Sequence, residues 1–284
     1  MILIADSGST KTDWVIVEEG ETKARFTTQG INPVHQDTAT IAGILHNELL
    51  PALTSYSSSL TSHLTSIFFY GSGCIPSLQP TIERQLRESL PDADTVEVAG
   101  DLLGAARALC GSNEGIACIL GTGANSCLYD GRQIIANTPP LGYVLGDEGS
   151  GAVLGIRFLN AVLKGLLPER LKTELLDWLQ MTEADIIGRI YRQPLANRWL
   201  ASLSLFIATH IDETDVRALV TDNFRQFFRR NVVQYGRRDL PVCFVGSIAH
   251  YYREQLGEAA AAEGFTLGRV EKSPVDGLTA YHAG

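Results

Sequence analysis

The chain alternates short apolar runs with stretches whose apolar residues recur every three or four positions. Ile2–Ala5 is a continuous apolar run and predicts a buried strand. Trp14–Val17 predicts a second strand and Lys23–Gln29 a third, with Gly20 in the turn between them, so the chain opens as an antiparallel meander. Gly30–Pro33 breaks the pattern. A helix is expected from Asp37, with Ile41, Ile44, Leu45 and Leu49 at helical spacing. Thr54–Thr65, rich in serine and threonine, reads as a helix tail or a surface loop. Ser66–Tyr70 is a strand of β-branched and aromatic type closed by Gly71–Gly73. Gln79–Leu90 is an amphipathic helix with Ile82, Leu86 and Leu90 on one face. Thr95–Ala99 is the next strand, and Leu102, Ala105, Ala106 and Leu109 place a helix from Asp101. Strand and helix alternating after a meander is an α/β pattern.

Gly111–Gly115 reads as a boundary, and beyond it the order of elements begins again. Ile116–Leu120 is a strand, Gly121–Gly123 a turn, Ser126–Tyr129 a strand, Gly131 a turn and Gln133–Ala136 a third strand. Two copies of one α/β unit facing each other would leave a cleft between two phosphate turns. Asn137–Leu145 is rich in proline and glycine and leads into Gly146–Gly151, after which a helix runs through Leu163. Pro168 to about Tyr235 reads as mostly helical, with starts near Glu183 and Glu213. Arg225, Arg229 and Arg230 read as a solvated helix face. Pro241–Val245 is a buried strand ended by Gly246 and Ser247. His250–Ala262 is a helix, Phe265–Val270 a strand, and Pro274 opens a last short helix at its first position.

At 284 residues and 45% hydrophobic, the chain has length for one large or two ordinary domains and ample material for a core. The net charge of −9 argues against nucleic acid or an anionic membrane as partner, while leaving room for a local pocket that takes an anion. Asp6 interrupts the first apolar run and no basic region precedes it, so no signal peptide is expected. No apolar stretch reaches the roughly 18 residues of a membrane span. The five cysteines, Cys74, Cys110, Cys118, Cys127 and Cys243, form no C-x-x-C pair, which removes a zinc ribbon or a redox motif and predicts reduced thiols in a cytoplasmic protein.

Candidate chemistry concentrates at glycine-marked strand ends. Asp6–Thr12 combines a carboxylate, a turn of small residues (Ser7, Gly8, Ser9, Thr10), an ammonium on Lys11 and a hydroxyl on Thr12. Small residues let the backbone present its N–H groups to an anion, and a carboxylate at a strand end can hold hydrated Mg²⁺. The same residues also suit a tight β-hairpin with a polar tip. A Walker A loop needs Gly-Lys-Ser/Thr and a following helix; here Thr10 precedes Lys11 and a strand pattern follows, which also removes the dinucleotide fingerprint. Gly121–Asn125, Gly146–Gly151 and Gly246-Ser247 are three further turns of this kind, and ligands of open α/β sheets sit at such carboxyl ends. Asp101, after a strand and before a helix, reads first as an N-cap and second as a general base on a substrate hydroxyl, and both can hold. Asp147 and Glu148 read as hydroxyl acceptors or as favourable charges at a helix N-terminus. The six histidines show no metal spacing, and no Ser/His/Asp arrangement can be argued.

Together these motifs resemble the N-acetylglucosamine kinase-like ATPase family, which includes activators of 2-hydroxyacyl-CoA dehydratases and belongs to the actin, hexokinase and heat-shock-chaperone superfamily. The likeness covers nearly the whole chain: Asp6–Thr12 is similar to the first phosphate motif, Gly121–Asn125 to the second, Gly146–Gly151 to the family's most specific mark, and Val245–Ser247 to the adenosine motif. The resemblance implies two RNase H-like domains that close on ATP and a sugar: residues 1–112, joined by a C-terminal helix within 273–284, and residues 113–272 with a helical insertion at 155–236. It implies that Asp101 deprotonates the sugar 6-hydroxyl. Asn32, Gly73, Asn125, Asp147 and Glu148 match the sugar side. Ser9, Thr10, Lys11, Thr12, Gly121, Thr122, Gly123, Gly246 and Ser247 match the nucleotide side, and Asp6 the Mg²⁺ side. The first turn has Ser7 and Ser9 where relatives often have glycine. Ala124 replaces a common serine, and Pro140–Val144 replaces a glycine- and tryptophan-rich stretch. The expected activity is an ATP-dependent sugar kinase acting on N-acetylglucosamine or a related amino sugar, with a homodimer as one assembly to consider. A dehydratase-activating ATPase and a non-catalytic nucleotide or sugar sensor are the alternatives.

Overall fold

The computed structural model describes residues 1–8, 10–56 and 64–283. Ser9 therefore lies outside the described residues, as do residues 57–63 within the Thr54–Thr65 piece. The chain divides into two compact units, Met1–Asn113 with Asp130–Gln133 and Ser273–Gly284, and Glu114–Tyr129 with Ile134–Lys272. The sheets are mixed, with five strands in each.

In the first unit the strands are β1 (Ile2–Ser7), β2 (Lys11–Glu18), β3 (Glu21–Gln29), β4 (Ser66–Gly71) and β5 (Thr95–Gly100), in the order β3-β2-β1-β4-β5. The opening meander is antiparallel, and β4 and β5 continue the sheet parallel to β1. β1 is central and covered on both faces, so Leu3, Ile4 and Ala5 are fully buried and its sequence is a run rather than an alternation. The helix expected from Asp37 is α1 (Thr38–Ile44), whose N-cap Asp37 accepts from the Thr40 N–H at 2.8 Å. It continues through a π turn (Leu45–Leu49) into α2 (Leu50–Tyr56), so Ile41, Ile44, Leu45 and Leu49 all face the core. Helices α3 (Gln79–Ser89) and α4 (Asp101–Cys110) follow β4 and β5. The C-terminal helix Val275–Ala283 returns to this unit and packs Val275 and Leu278 with Ile4, Val15, Val17 and Tyr70. Pro274 stands one residue before it rather than at its first position, and its carbonyl accepts from the Leu278 N–H.

In the second unit the strands are β6 (Glu114–Leu120), β7 (Ala124–Asp130), β8 (Ile134–Asn137), β9 (Val242–Val245) and β10 (Leu267–Glu271), in the order β10-β9-β6-β7-β8. Glu114 and Gly115, read as part of a boundary loop, already belong to β6. The proline- and glycine-rich stretch folds a single turn, α5 (Gly142–Leu145). Helix α6 (Gly151–Leu163) is capped by Ser150, whose hydroxyl accepts from the Val153 N–H at 3.1 Å. The helical region follows as α7 (Glu169–Leu179), α8 (Glu183–Arg192), α9 (Ala196–Ser202), α10 (Ser204–Thr209) and α11 (Thr214–Arg230). The segment read as one helix over His250–Ala262 is two, α12 (Ser247–Tyr251) and α13 (Arg253–Ala262), broken at Tyr252. The arginine face is not left to solvent alone. Arg225 and Arg229 both pair with Glu263 at 2.7 and 2.8 Å, because α11 packs along α13.

Candidate functional site

The parallel register of the first unit lines up three strand ends. Ser7 pairs with Gly71 and Gly71 with Gly100, so Asp6, Ser72 and Asp101 stand along one edge of the sheet. The Ser72 N–H holds the edge together by donating to the Ser7 carbonyl at 2.8 Å. Asp101 is the first residue of α4, and Gly100 occupies the cap position that the sequence suggested for Asp101. The reason is a strand one residue longer than the apolar run, which carries Gly100 into the sheet. Asp101 Oδ1 accepts its own helix's Leu102 N–H at 2.9 Å. Burial raises the Asp101 carboxyl above the usual carboxylate range, against the stabilising Leu102 N–H and Ser72 hydroxyl. Asp6 is pushed up to about 7, first by burial and then by the charges of Asp101 and Asp13, with Lys11 opposing. Asp6 and Asp101 thus sense each other's charge.

The hairpin tip divides in two. Thr10 and Lys11 are exposed, and Lys11 Nζ meets Asp13 at 2.6 Å. Thr12 is fully buried, and its hydroxyl is committed to Ser7 Oγ at 2.7 Å and the Gln29 carbonyl at 3.2 Å. Ser7 Oγ in turn bonds both the carbonyl and the N–H of Ile31. These hydroxyls fasten the tip to the segment carrying Asn32. Asn32 is 7% exposed and Gly73 lies against it, where a Cβ would stand 2.3 Å from Asn32 Oδ1 and φ is +77°. Only glycine fits that position.

In the second unit the turn after β6 is closed by the Gly121 N–H on the Gly123 carbonyl at 2.9 Å. The first turn of α6 docks on it, with Gly151 and Ala152 N–H groups donating to the Gly121 and Thr122 carbonyls at 2.9 and 3.1 Å. Thr122 is exposed. The Asp147 carboxylate accepts from the Ala124 N–H; burial raises it, and neighbouring Glu148 raises it further. Asp147 itself is left-handed at φ +52°, and its N–H closes the preceding loop on the Pro140 carbonyl at 2.8 Å. Glu148 reaches Asn231 Nδ2 at 3.4 Å and Arg230 at 3.5 Å. Gly246 ends β9 at φ +122°, where a Cβ would strike the Leu120 carbonyl at 2.2 Å, and exposed Ser247 opens α12 beside it. Asn125 is half-buried and belongs to a side-chain network with Asn137 that the linear motifs do not show.

The structure thus gathers Asp6, Asn32, Gly73 and Asp101 in one unit, and Gly121–Gly123, Asn125, Asp147 and Glu148 in the other, with Gly246 against Leu120. A surface depression of about 400 Å³ beside α11 and α13, lined by Arg217, Asp222, Arg225 and Glu258 among others, holds none of the expected site residues. Among the described residues no group of three or more His, Cys, Asp or Glu could hold a metal ion. No described helix is long and apolar enough to cross a membrane. Sequence reasoning missed Ser72, Asn137 and Tyr235. No linear signal marked Asn137, whose strand partner across the hairpin is Cys127 rather than Asn125.

Two mixed sheets of this order are the actin-like ATPase architecture of paired RNase H-like domains. No profile of a known protein family matches the chain. A candidate N-acetylglucosamine kinase from Porphyromonas gingivalis superposes with a TM-score of 0.96 and is 53% identical, covering 100% of this chain and 99% of its own. A second candidate N-acetylglucosamine kinase, from Chromobacterium violaceum, shares the fold at a TM-score of 0.73 and 20% identity, covering 99% of this chain and 98% of its own. An N-acetylmuramic acid/N-acetylglucosamine kinase from Clostridium acetobutylicum is 37% identical over 100 residues, which are 32% of this chain and 31% of that protein. The chain thus spans about a third of that curated relative in the match. This chain belongs to the N-acetylglucosamine kinase-like ATPase family.

Proposed function

We propose that this protein is an ATP-dependent sugar kinase that phosphorylates N-acetylglucosamine or a related amino sugar at the 6-hydroxyl. The observation that carries the reading is the placement of half-buried Asp101 at the head of α4, on the same strand-end edge as Asp6. Phosphoryl transfer is largely positioning plus charge neutralisation. Asp101 orients the acceptor hydroxyl and takes its proton, which its raised carboxyl suits. Mg²⁺ would be held by Asp6, with phosphate oxygens and water completing its shell, since Mg²⁺ is commonly bound by one or two carboxylates plus substrate phosphates. When bound it neutralises charge on the transferred group.

Thr10 and Lys11, exposed at the hairpin tip, and Gly121, Thr122, Gly123, Gly246 and Ser247 are assigned to the nucleotide. Ser9, outside the described residues, is assigned there by its motif. Thr12 acts by bracing the tip, since its hydroxyl is buried and engaged. Asn32, Gly73, Asn125, Asp147 and Glu148 are assigned to the sugar. The reading is supported by a relative 53% identical over the whole chain that carries the description of a candidate N-acetylglucosamine kinase. The dehydratase-activator alternative needs cysteines at a surface, whereas Cys74, Cys118, Cys127 and Cys243 are buried.

A panel of sugars and amino sugars with Mg-ATP and coupled ADP detection tests the reading. Asp101→Asn should fold and bind ATP but lose transfer by a factor on the order of 10² or more. Near-normal turnover in that variant would remove Asp101 from the mechanism.

A further inference from the structure

The β7–β8 hairpin holds Asn125 by a lock that its linear motif gives no hint of. Asn125 Oδ1 accepts the backbone N–H of Ser126 and the Nδ2 group of Asn137, each at 2.9 Å. A backbone N–H can only donate, so it fixes which end of the Asn125 amide is oxygen. Asn137 Nδ2 also donates to the Ser126 carbonyl at 2.7 Å and the Thr138 carbonyl at 3.3 Å. Carbonyls can only accept, so they fix the Asn137 amide as well. Both amides are therefore oriented by main-chain groups, and the lock is fastened from behind. Tyr235 Oη bonds Ser126 Oγ at 2.7 Å and takes the Thr138 N–H at 3.1 Å. Thr138 Oγ1 donates to the Asn231 carbonyl at 3.1 Å, and Asn231 Nδ2 reaches Glu148 at 3.4 Å. One network thus joins Asn125 to Glu148, both assigned above to the sugar.

We propose that Asn137 is a positioning residue for substrate recognition: it occupies the Asn125 carbonyl oxygen, so that Asn125 offers its amide N–H₂ alone and selects a sugar oxygen that accepts a hydrogen bond. The proposal rests on the sugar-kinase reading. Asn137 itself touches no substrate. Its effect passes through the direction of the neighbouring amide.

Asn137→Asp replaces the donor with acceptors facing Asn125 Oδ1 and the Ser126 carbonyl, so that repulsion at Asn125 Oδ1 opposes the remaining hold of the Ser126 N–H and the amide loses its single orientation. The expected result is an increase of about tenfold or more in KM for the sugar, because a site built around one hydrogen bond loses it. KM for ATP stays unchanged. In an Asn125→Ala background the Asn137→Asp change should add nothing further, since contacting residues acting through one group are non-additive. A full additive penalty in the double variant, or an equal rise in both KM values, overturns the proposal and assigns Asn137 a merely structural role. An inactive Asp101→Asn beside an unaffected Asn137→Asp also overturns it, while leaving the kinase reading intact. A wild-type protein that turns over no sugar in the panel brings down the kinase reading instead. The lock can then be tested by calorimetric sugar binding with the same variants, where an unchanged affinity in Asn137→Asp again overturns it.

Discussion

At the scale of single residues, the backbone decides as much as the side chains do. Gly246 is the sharpest case: φ is +122°, and a Cβ would lie 2.2 Å from the Leu120 carbonyl carbon's oxygen, which belongs to the neighbouring strand. Gly246→Ala should therefore cost about 1–3 kcal/mol through backbone strain alone, and more where β9 shifts from β6. Urea unfolding checks the loss, and a variant as stable as the parent would show that the strand end is softer than this contact requires. Much of the residue-level chemistry was legible in the sequence because it lies at glycine-marked strand ends. Asp6 and Asp101 were expected at strand ends and stand there, and Asp147 was expected just before a helix and precedes α6. Thr12 was legible as a hydroxyl but not as a buried one, because which side of β2 faces inward follows from its register with β1 and β3. Asn137 was not legible at all. Its role depends on a partner across a hairpin, and a linear motif carries no such pairing.

At the scale of elements, the C-terminal helix shows what a short segment can anchor. The His282 ring stacks on Phe68 with centroids 3.7 Å apart, and its Nε2 bonds Tyr70 Oη at 2.9 Å. Arg107 donates to the same Tyr70 oxygen at 2.6 Å and pairs with Glu97 at 2.5 Å. Burial, helped by the Arg107 charge and opposed by Glu97, lowers His282 from 6.5 to about 4. The unfolded chain takes up the His282 proton as pH falls through 6.5, while the folded protein does so only near 4. This group's contribution is therefore present at neutral pH and lost progressively as pH drops from 6.5 toward 4. Replacing it by Asn should narrow the stability gap between wild type and variant at pH near 5 relative to pH near 7.5, as read by urea melts. A gap independent of pH would mean that the ring stays out of this titration. The strands and most helices were visible as apolar periodicity, yet this cluster was not. Tyr70, Glu97, Arg107 and His282 come from four elements and meet only once the sheet and two helices are assembled.

At the scale of the whole molecule, each unit has a core of its own, and the first is completed from both ends of the described chain. Val275 and Leu278 cover Ile4, Val15 and Val17, and each buried aliphatic side chain contributes about 1.5–3 kcal/mol. A chain ended after Lys272 should therefore lose hydrogen-exchange protection in β1, β2 and β4 while β6 and β9 keep theirs. Equal protection in both would show that the first unit closes without its last helix. The repetition of strand, turn, strand after Gly111 made two sheets readable in advance. The capture of residues after 272 by the opening strands came from the family resemblance, since nothing in local periodicity says which sheet a terminal helix will choose.

That late arrival has a consequence for biosynthesis. β1 and β2 cannot be roofed until some 258 residues later, since Val17 waits for Val275. At 5–20 residues per second this is a delay of roughly 13–52 s. Throughout it the second unit can already be closing, while an incomplete sheet with Ile4, Val15 and Val17 uncovered stands open to solvent or to a chaperone. In this molecule β1 and β2 are translated long before the helix that completes them, and are among the last elements to reach their final state.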